Sequence, residues 1–264
     1  MVDHIAFDLA RTELKEKVEA MQRFALFWQI SSAYPSGAKI FSSGDGLFNM
    51  LDYLDDRHPM LRHSSKSWLI ESLDSLERIL DPLLFVLLAP ETVCYVTRQR
   101  QLFFTSEYDT SRTIELFRKL RSIITTTKSA IEKLEKTEVS RDIREALRRH
   151  EQLSRTFGFR ENPRNYLEAL LFVALKFTIA QAPEGISRAF FNNNESINAC
   201  AGDFLEQVMN TIGVERRAAE ISHLLVKPIL VALRNAILNM NSVMQVQLLN
   251  ILTVLVSPEF THES

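Results

Sequence analysis

The sequence predicts an all-α protein of HEAT/armadillo-like stacked helix pairs, an α-solenoid with a long charged helical region in its middle. Three observations predict it. Apolar residues recur at spacings of three and four through most of the 264 residues. Glycine is scarce, with 7 in the whole chain against ~7% in average usage. Tight β-turns and phosphate-cradling loops consume glycine, because it enters positive φ cheaply. Short polar joints, several marked by proline, divide the periodic stretches into lengths that suit stacked helices.

Taken in order, Phe7, Leu14, Val18, Met21, Ala25 and Trp28 predict a first helix over residues 3–31, stopped by Pro35 and Gly37. After the loop at residues 42–46, Asp45 is placed to cap a helix carrying Leu47, Met50, Leu51 and Leu54. The run from Asp55 to Pro59 breaks it. Pro59 suits the first turn of the next helix, where a missing N–H is harmless, and Trp68 and Leu69 lie on that helix. A helix over residues 76–88 contains Asp81-Pro82, a kink or restart. These elements form an N-terminal repeat segment, residues 1–90. Residues 91–110 read as a linker, and strand-like Thr92 to Thr97 within it reads as extended chain rather than sheet.

Residues 111–160 read as a long basic amphipathic region, either a coiled-coil arm or an ordinary pair of long helices, with Thr137 or Ser140 capping a restart. A C-terminal repeat segment follows over residues 161–258. It opens with Asn162-Pro163 and an all-apolar helix from Tyr166 to Ala180, which predicts burial on every side. A polar joint at Asn192 to Ser196 precedes helices over 196–212, 215–239 and 241–256, and residues 259–264 fray. Leu80 to Leu87 and Val226 to Leu233 echo one another, each with a charged residue and proline before a leucine-rich run.

The net charge of −2 gives no nucleic-acid footprint, but it is unevenly spread. Residues 1–90 hold 9 Lys/Arg and 13 Asp/Glu, whereas residues 111–160 hold 13 and 7. Cys94 and Cys200 read as free buried thiols, and the opening Met1-Val2-Asp3-His4 is unlike a signal peptide. A cytoplasmic protein is expected, with peripheral membrane contact open to it. No Walker, dinucleotide, zincin or nucleophile-elbow motif occurs. His58 and His63 are spaced wrongly for a helical metal pair. Asp52, Asp55 and Asp56 read as caps and partners of Arg57 rather than as acid–base pairs. No catalytic residue, metal or cofactor is expected. The candidate contact surface is an arginine stripe, Arg141, Arg144, Arg148 and Arg149. It suits a phosphoinositide headgroup or an acidic helix, or forms a solvated face paired with Asp142, Glu145 and Glu151.

Residues 23–92 carry four elements in order. They are Arg23-Phe24-Ala25-Leu26-Phe27-Trp28, the helix Leu51-Asp52-Tyr53-Leu54-Asp55, the run Ser67-Trp68-Leu69, and Arg78-Ile79-Leu80-Asp81-Pro82-Leu83-Leu84. This order resembles the Dopey family, large cytosolic proteins of endosome–Golgi traffic. The resemblance implies a non-catalytic armadillo/HEAT-like scaffold acting through protein contacts with a Mon2-like scaffold and a phospholipid-flippase system at Golgi or endosomal membranes. Family members are far longer than this chain. The alternatives are an accessory helical-repeat subunit of another large complex, such as a membrane channel assembly, and an all-α enzyme with a buried polar pocket. In every case Arg23, Phe24, Trp28, Leu51, Asp52, Trp68, Leu69, Asp81 and Pro82 have plain structural roles first.

Overall fold

A computed structural model describes residues 2–10, 13–32, 45–89, 92–96, 101–105, 110–126, 128–159, 163–181, 188–212 and 221–256. Those residues are mostly helical. The chain divides into two compact units, Met1–Leu83 with Lys119–Lys133, and Leu84–Arg118 with Leu134–Ser264.

The first unit holds α1 (Val2–Leu9), α2 (Leu14–Ser32), α3 (Asp45–Asp52) and α4 (Pro59–Glu71), with 3-10 turns at Tyr53–Asp55 and Leu73–Ser75. Where one first helix is expected, there are two. The periodicity is continuous, but the end of α1 is fixed by α3: Asn49 donates to the Ala6 carbonyl (3.2 Å) and the Tyr53 hydroxyl to that of Leu9. The Ala6 carbonyl also keeps its helical bond from Ala10 N–H (3.2 Å), whereas the Leu9 carbonyl, which a longer helix would have used, is met by the tyrosine hydroxyl. The stop signals Pro35 and Gly37, and most of the 42–46 loop, lie outside the described residues. Asp45 stands in the first turn of α3, where its charge favours the helix dipole. Pro59 opens α4 as expected, and the His58 ring accepts from Met60 N–H.

Helix α5 (Leu76–Leu87) runs through Pro82 without a restart. Helices α6 (Thr110–Thr126) and α7 (Lys128–Lys136), together with α5, contribute residues to both units. Residues 111–160 hold more than one pair of helices. They also include α8 (Arg141–Arg148) and α9 (Glu151–Phe157). Ser140 caps α8 by accepting from Ile143 N–H (3.2 Å), and Gly158 ends α9 in the left-handed region at φ 76°. Each short helix buries its own stripe, such as Ile143, Ala146 and Leu147 in α8. A coiled-coil seam would have required one continuous line.

In the second unit the expected linker contains a hairpin. Strand β1 (Val93–Val96) pairs antiparallel with β2 (Gln101–Phe104), Val93 opposite Phe104. Gln181 extends it: its N–H donates to the Leu102 carbonyl (2.7 Å) and its carbonyl accepts from Phe104 N–H (2.8 Å). All four β2 residues are buried, so the strand lacks the alternation that marks a half-exposed one. Helix α10 (Tyr166–Ile179) is buried on nearly every side, as its composition predicts. Its N-cap is Asn165, which accepts from Glu168 N–H (2.9 Å); Asn162 lies outside the described residues.

Helix α11 (Arg188–Ile212) passes straight through the expected joint at Asn192–Ser196. Poor helix formers cost under ~1 kcal/mol each, and the buried face from Ile197 to Met209 outweighs them. Asn198 on α11 donates to the carbonyls of Phe177, Thr178 and Ala180 (2.7, 3.0 and 2.9 Å), closing the end of α10. Helices α12 (Ser222–Leu238) and α13 (Ser242–Val256) pack against each other, and α13 also against α11. The two proline-bearing echoes fall in α5 and α12, both as internal prolines. Residues 259–264 lie outside the described residues.

Candidate functional site

The arginine stripe is on the surface. Arg141, Arg144, Arg148 and Arg149 are all exposed along α8 while its apolar residues turn inward. Arg144 donates to the Val139 carbonyl (3.1 Å) and stands 4.0 Å from Glu138. Arg148 pairs with Glu145 (3.3 Å), and Arg155 pairs with Glu151 one helix on. These are exposed pairs, each worth ~1 kcal/mol or less. The guanidinium groups therefore stay available to an anion at little cost.

Five of the family-like residues, Phe24, Trp28, Leu51, Trp68 and Leu69, are buried in the first unit. Trp28 stacks on Phe24 at 5.9 Å, and Trp68 meets both rings edge-on at 5.6 and 5.4 Å. Arg78 lies over the Trp28 ring at 4.2 Å and donates to the Trp28 carbonyl (3.2 Å) and the Ser31 hydroxyl (2.6 Å). Burial lowers its pKa from the usual arginine value. Arg23 pairs with Asp8 at 3.3 Å, while Asp81 and Pro82 are half-buried in α5.

Asp52 and Asp55 are not partnered by Arg57. Lys119 pairs with Asp52, and the Ser122 hydroxyl donates to Asp55. Asp56 accepts from His58 N–H (2.7 Å), and Arg62 spans the carbonyls of Asp56 and Arg57 (2.6 and 2.9 Å). Sequence proximity favours Arg57, but the turn directs these carboxylates toward α6.

The most perturbed chemistry lies at residues that sequence reading passed over. Lys176 is fully buried in α10. Its ammonium donates to the Leu87 carbonyl at the end of α5 (2.7 Å) and to the Thr92 hydroxyl (3.2 Å). Desolvation lowers its pKa to about 7. His150 is also buried; its Nε2–H donates to the adjacent Leu88 carbonyl (3.1 Å), and its ring lies 6.1 Å from Phe172. Desolvation, then the Lys176 and Arg149 charges, bring its pKa down to about 4 against the opposing pull of the Leu88 carbonyl. Both groups serve the orphan carbonyls of a helix end, where the macrodipole is negative. The available signal was a single lysine in a helix apolar all round. Cys200 is half-buried, its thiol 3.9 Å from the Ile114 carbonyl.

Two cavities are described in the second unit. One, beside Phe159, Leu171 and Phe172, holds about 20 Å³; the other, between Leu102, Phe157 and Met244, about 10 Å³. Each is water-sized, against ~300–1,000 Å³ for a small-molecule site. Among the described residues no group of three possible metal ligands gathers, and no helix is long and apolar enough to cross a membrane.

No family model matches the chain, and no curated protein matches it. Among solved structures, the crystal structure of an engineered protein from a structural genomics consortium aligns over 96% of this chain and 96% of its own, at 13% identity and a TM-score of 0.27. Similarity at that level says nothing of fold or role.

Proposed function

We propose that this chain is a non-catalytic helical scaffold, an α-solenoid adaptor in membrane traffic between endosomes and Golgi, which works by positioning other proteins. The observation that carries the reading is the use of the family-like residues. Phe24, Trp28, Leu51, Trp68 and Leu69, which lie in three of the four Dopey-like elements, are buried, and the three aromatic rings pack on one another rather than line a pocket. Sequential helices pack as neighbours, α1 with α2, α10 with α11 and α12 with α13, as stacked pairs require. The exposed arginines of α8 supply a basic contact for an anionic membrane or an acidic partner.

The test is affinity purification of the tagged chain from cells. Recovery of Golgi and endosomal trafficking proteins, a Mon2-like scaffold and flippase subunits among them, is the expected outcome. Channel subunits in their place would select the accessory-subunit reading. Turnover of a small metabolite by the purified chain would overturn both.

A further inference from the structure

Helix α13 contains no charged residue in its 15 positions. Its inner side is Met244, Leu248, Ile251 and Leu255, all buried. Its outer side is also apolar: Val243, Val246, Leu249 and Val256 are 62, 59, 50 and 73% exposed, alternating with exposed Asn250 and Thr253. A helix at a protein surface normally carries its charge on that side. The apolar surface continues onto the α12–α13 turn, where Leu238 and Met240 are 70 and 89% exposed, Met240 at a φ of 53°. Together these six apolar side chains expose on the order of 600 Å² of surface. That is at the top of what a monomer usually leaves in one patch, and approaches the ~800 Å² that one partner contributes to a standard interface.

We propose that the outer face of α13 seats the same face of a second copy of this chain, with the two helices antiparallel. The order of residues along the face fits a two-fold axis between Leu249 and Asn250. In that register Val243 lies opposite Val256 of the partner subunit, Val246 opposite Thr253 of the partner subunit, and Leu249 opposite Asn250 of the partner subunit. Each contact occurs twice, as an isologous interface requires. The stripe is ~20 Å long. Because it carries no charge, two copies meet without like-charge repulsion. Charge also separates this occupant from others. The basic residues of this hairpin, Lys227 and Arg234, sit on the exposed side of α12. An interfacial membrane helix would hold such cations along its own polar face, and α13 has none.

Sedimentation velocity across a concentration series tests the proposal, with V246E as the disrupting variant. Val246 is mostly exposed, so the fold tolerates the change. The expected result is a concentration-dependent dimer in the wild type and a dissociation constant raised at least ~100-fold in V246E, where two carboxylates would be buried without partners. Register is read by oxidative cross-linking of mixed V246C and T253C chains, with the wild type giving the background from Cys94 and Cys200. Linking in the mixture but in neither variant alone supports the antiparallel register. A monomer at every concentration, whether or not it floats on phosphatidylserine vesicles, overturns the proposal. So does a dimer that V246E leaves intact, or one that V246C cross-links to itself.

Discussion

Lys176→Met keeps the length of the side chain and removes the buried ammonium from the last turn of α10. In the fold this lysine titrates near 7, whereas an unfolded chain releases the proton only near 10.4. Between those values the unfolded state binds more protons than the folded one, so the Lys176 contribution makes stability rise with pH over that window. Below pH 7 both states are protonated and the dependence disappears. At up to ~1.4 kcal/mol per pH unit, and less near the folded pKa, the gain from pH 7 to 9 is about 2 kcal/mol. Urea unfolding followed by circular dichroism at pH 7, 8 and 9 measures it in the wild type and in K176M. His150, the group the Lys176 charge also perturbs, titrates below this window, so between pH 7 and 9 the difference between the two profiles isolates this lysine. The wild-type curve should climb relative to the variant by about 2 kcal/mol. Parallel profiles would refute the reasoning, because they would mean that the ammonium reaches solvent or an anionic partner in the fold.

His150 should stay neutral at pH 5, with its ring resonances titrating near 4; a midpoint near 6.5 in a nuclear magnetic resonance titration would contradict the burial that sets it. Because that folded pKa is depressed, stability should fall by about 3 kcal/mol as pH drops from 6.5 to 4, over a window separate from that of Lys176. Trp68→Ala should destabilise the first unit by about 3–5 kcal/mol in thermal or urea unfolding. Trp68→Phe should cost clearly less, since the buried indole N–H has no hydrogen-bond acceptor among the described residues; equal losses would place Trp68 outside the core. Reversing Arg144, Arg148 and Arg149 to glutamate should weaken flotation on phosphoinositide vesicles by ~100-fold or more, at ~1 kcal/mol for each basic residue near an anionic surface. Unchanged flotation would remove lipid contact from the role of α8.

Where side-chain pattern alone determines the outcome, the sequence was legible. Ser140 was readable as a cap because capping depends on residues three apart. Pro59 was readable as a helix start, and Tyr166 to Ile179 as a helix without a wet side. The α8 arginines were found on the surface because i+3 and i+4 spacing fixes a common face whatever surrounds it. The pairing of Asp52 with Lys119 was not legible, since 67 residues separate the two and a nearer arginine competed for the reading. Lys176 escaped notice for a related reason. Its neighbours in sequence predicted burial, but only the end of α5 supplies the carbonyl that makes a buried ammonium tolerable.

By itself the sequence determined that the chain is mostly helical, that Tyr166–Ile179 is buried on nearly every side, and that neither a phosphate-binding loop nor a zinc motif is present, but not every inward face: Phe7 and Leu14, read into the first apolar stripe, are exposed. Those properties follow from periodicity and composition, which act over a few residues. Tertiary structure decided where helices stop and which polar groups meet. It split residues 2–32 into two helices, carried α11 through a run of asparagines, and paired β1 with β2 and Gln181. These outcomes depend on hydrogen bonds and buried area contributed by segments distant in the chain. Such contributions exceed the fraction of a kcal/mol by which local propensity ranks one conformation over another.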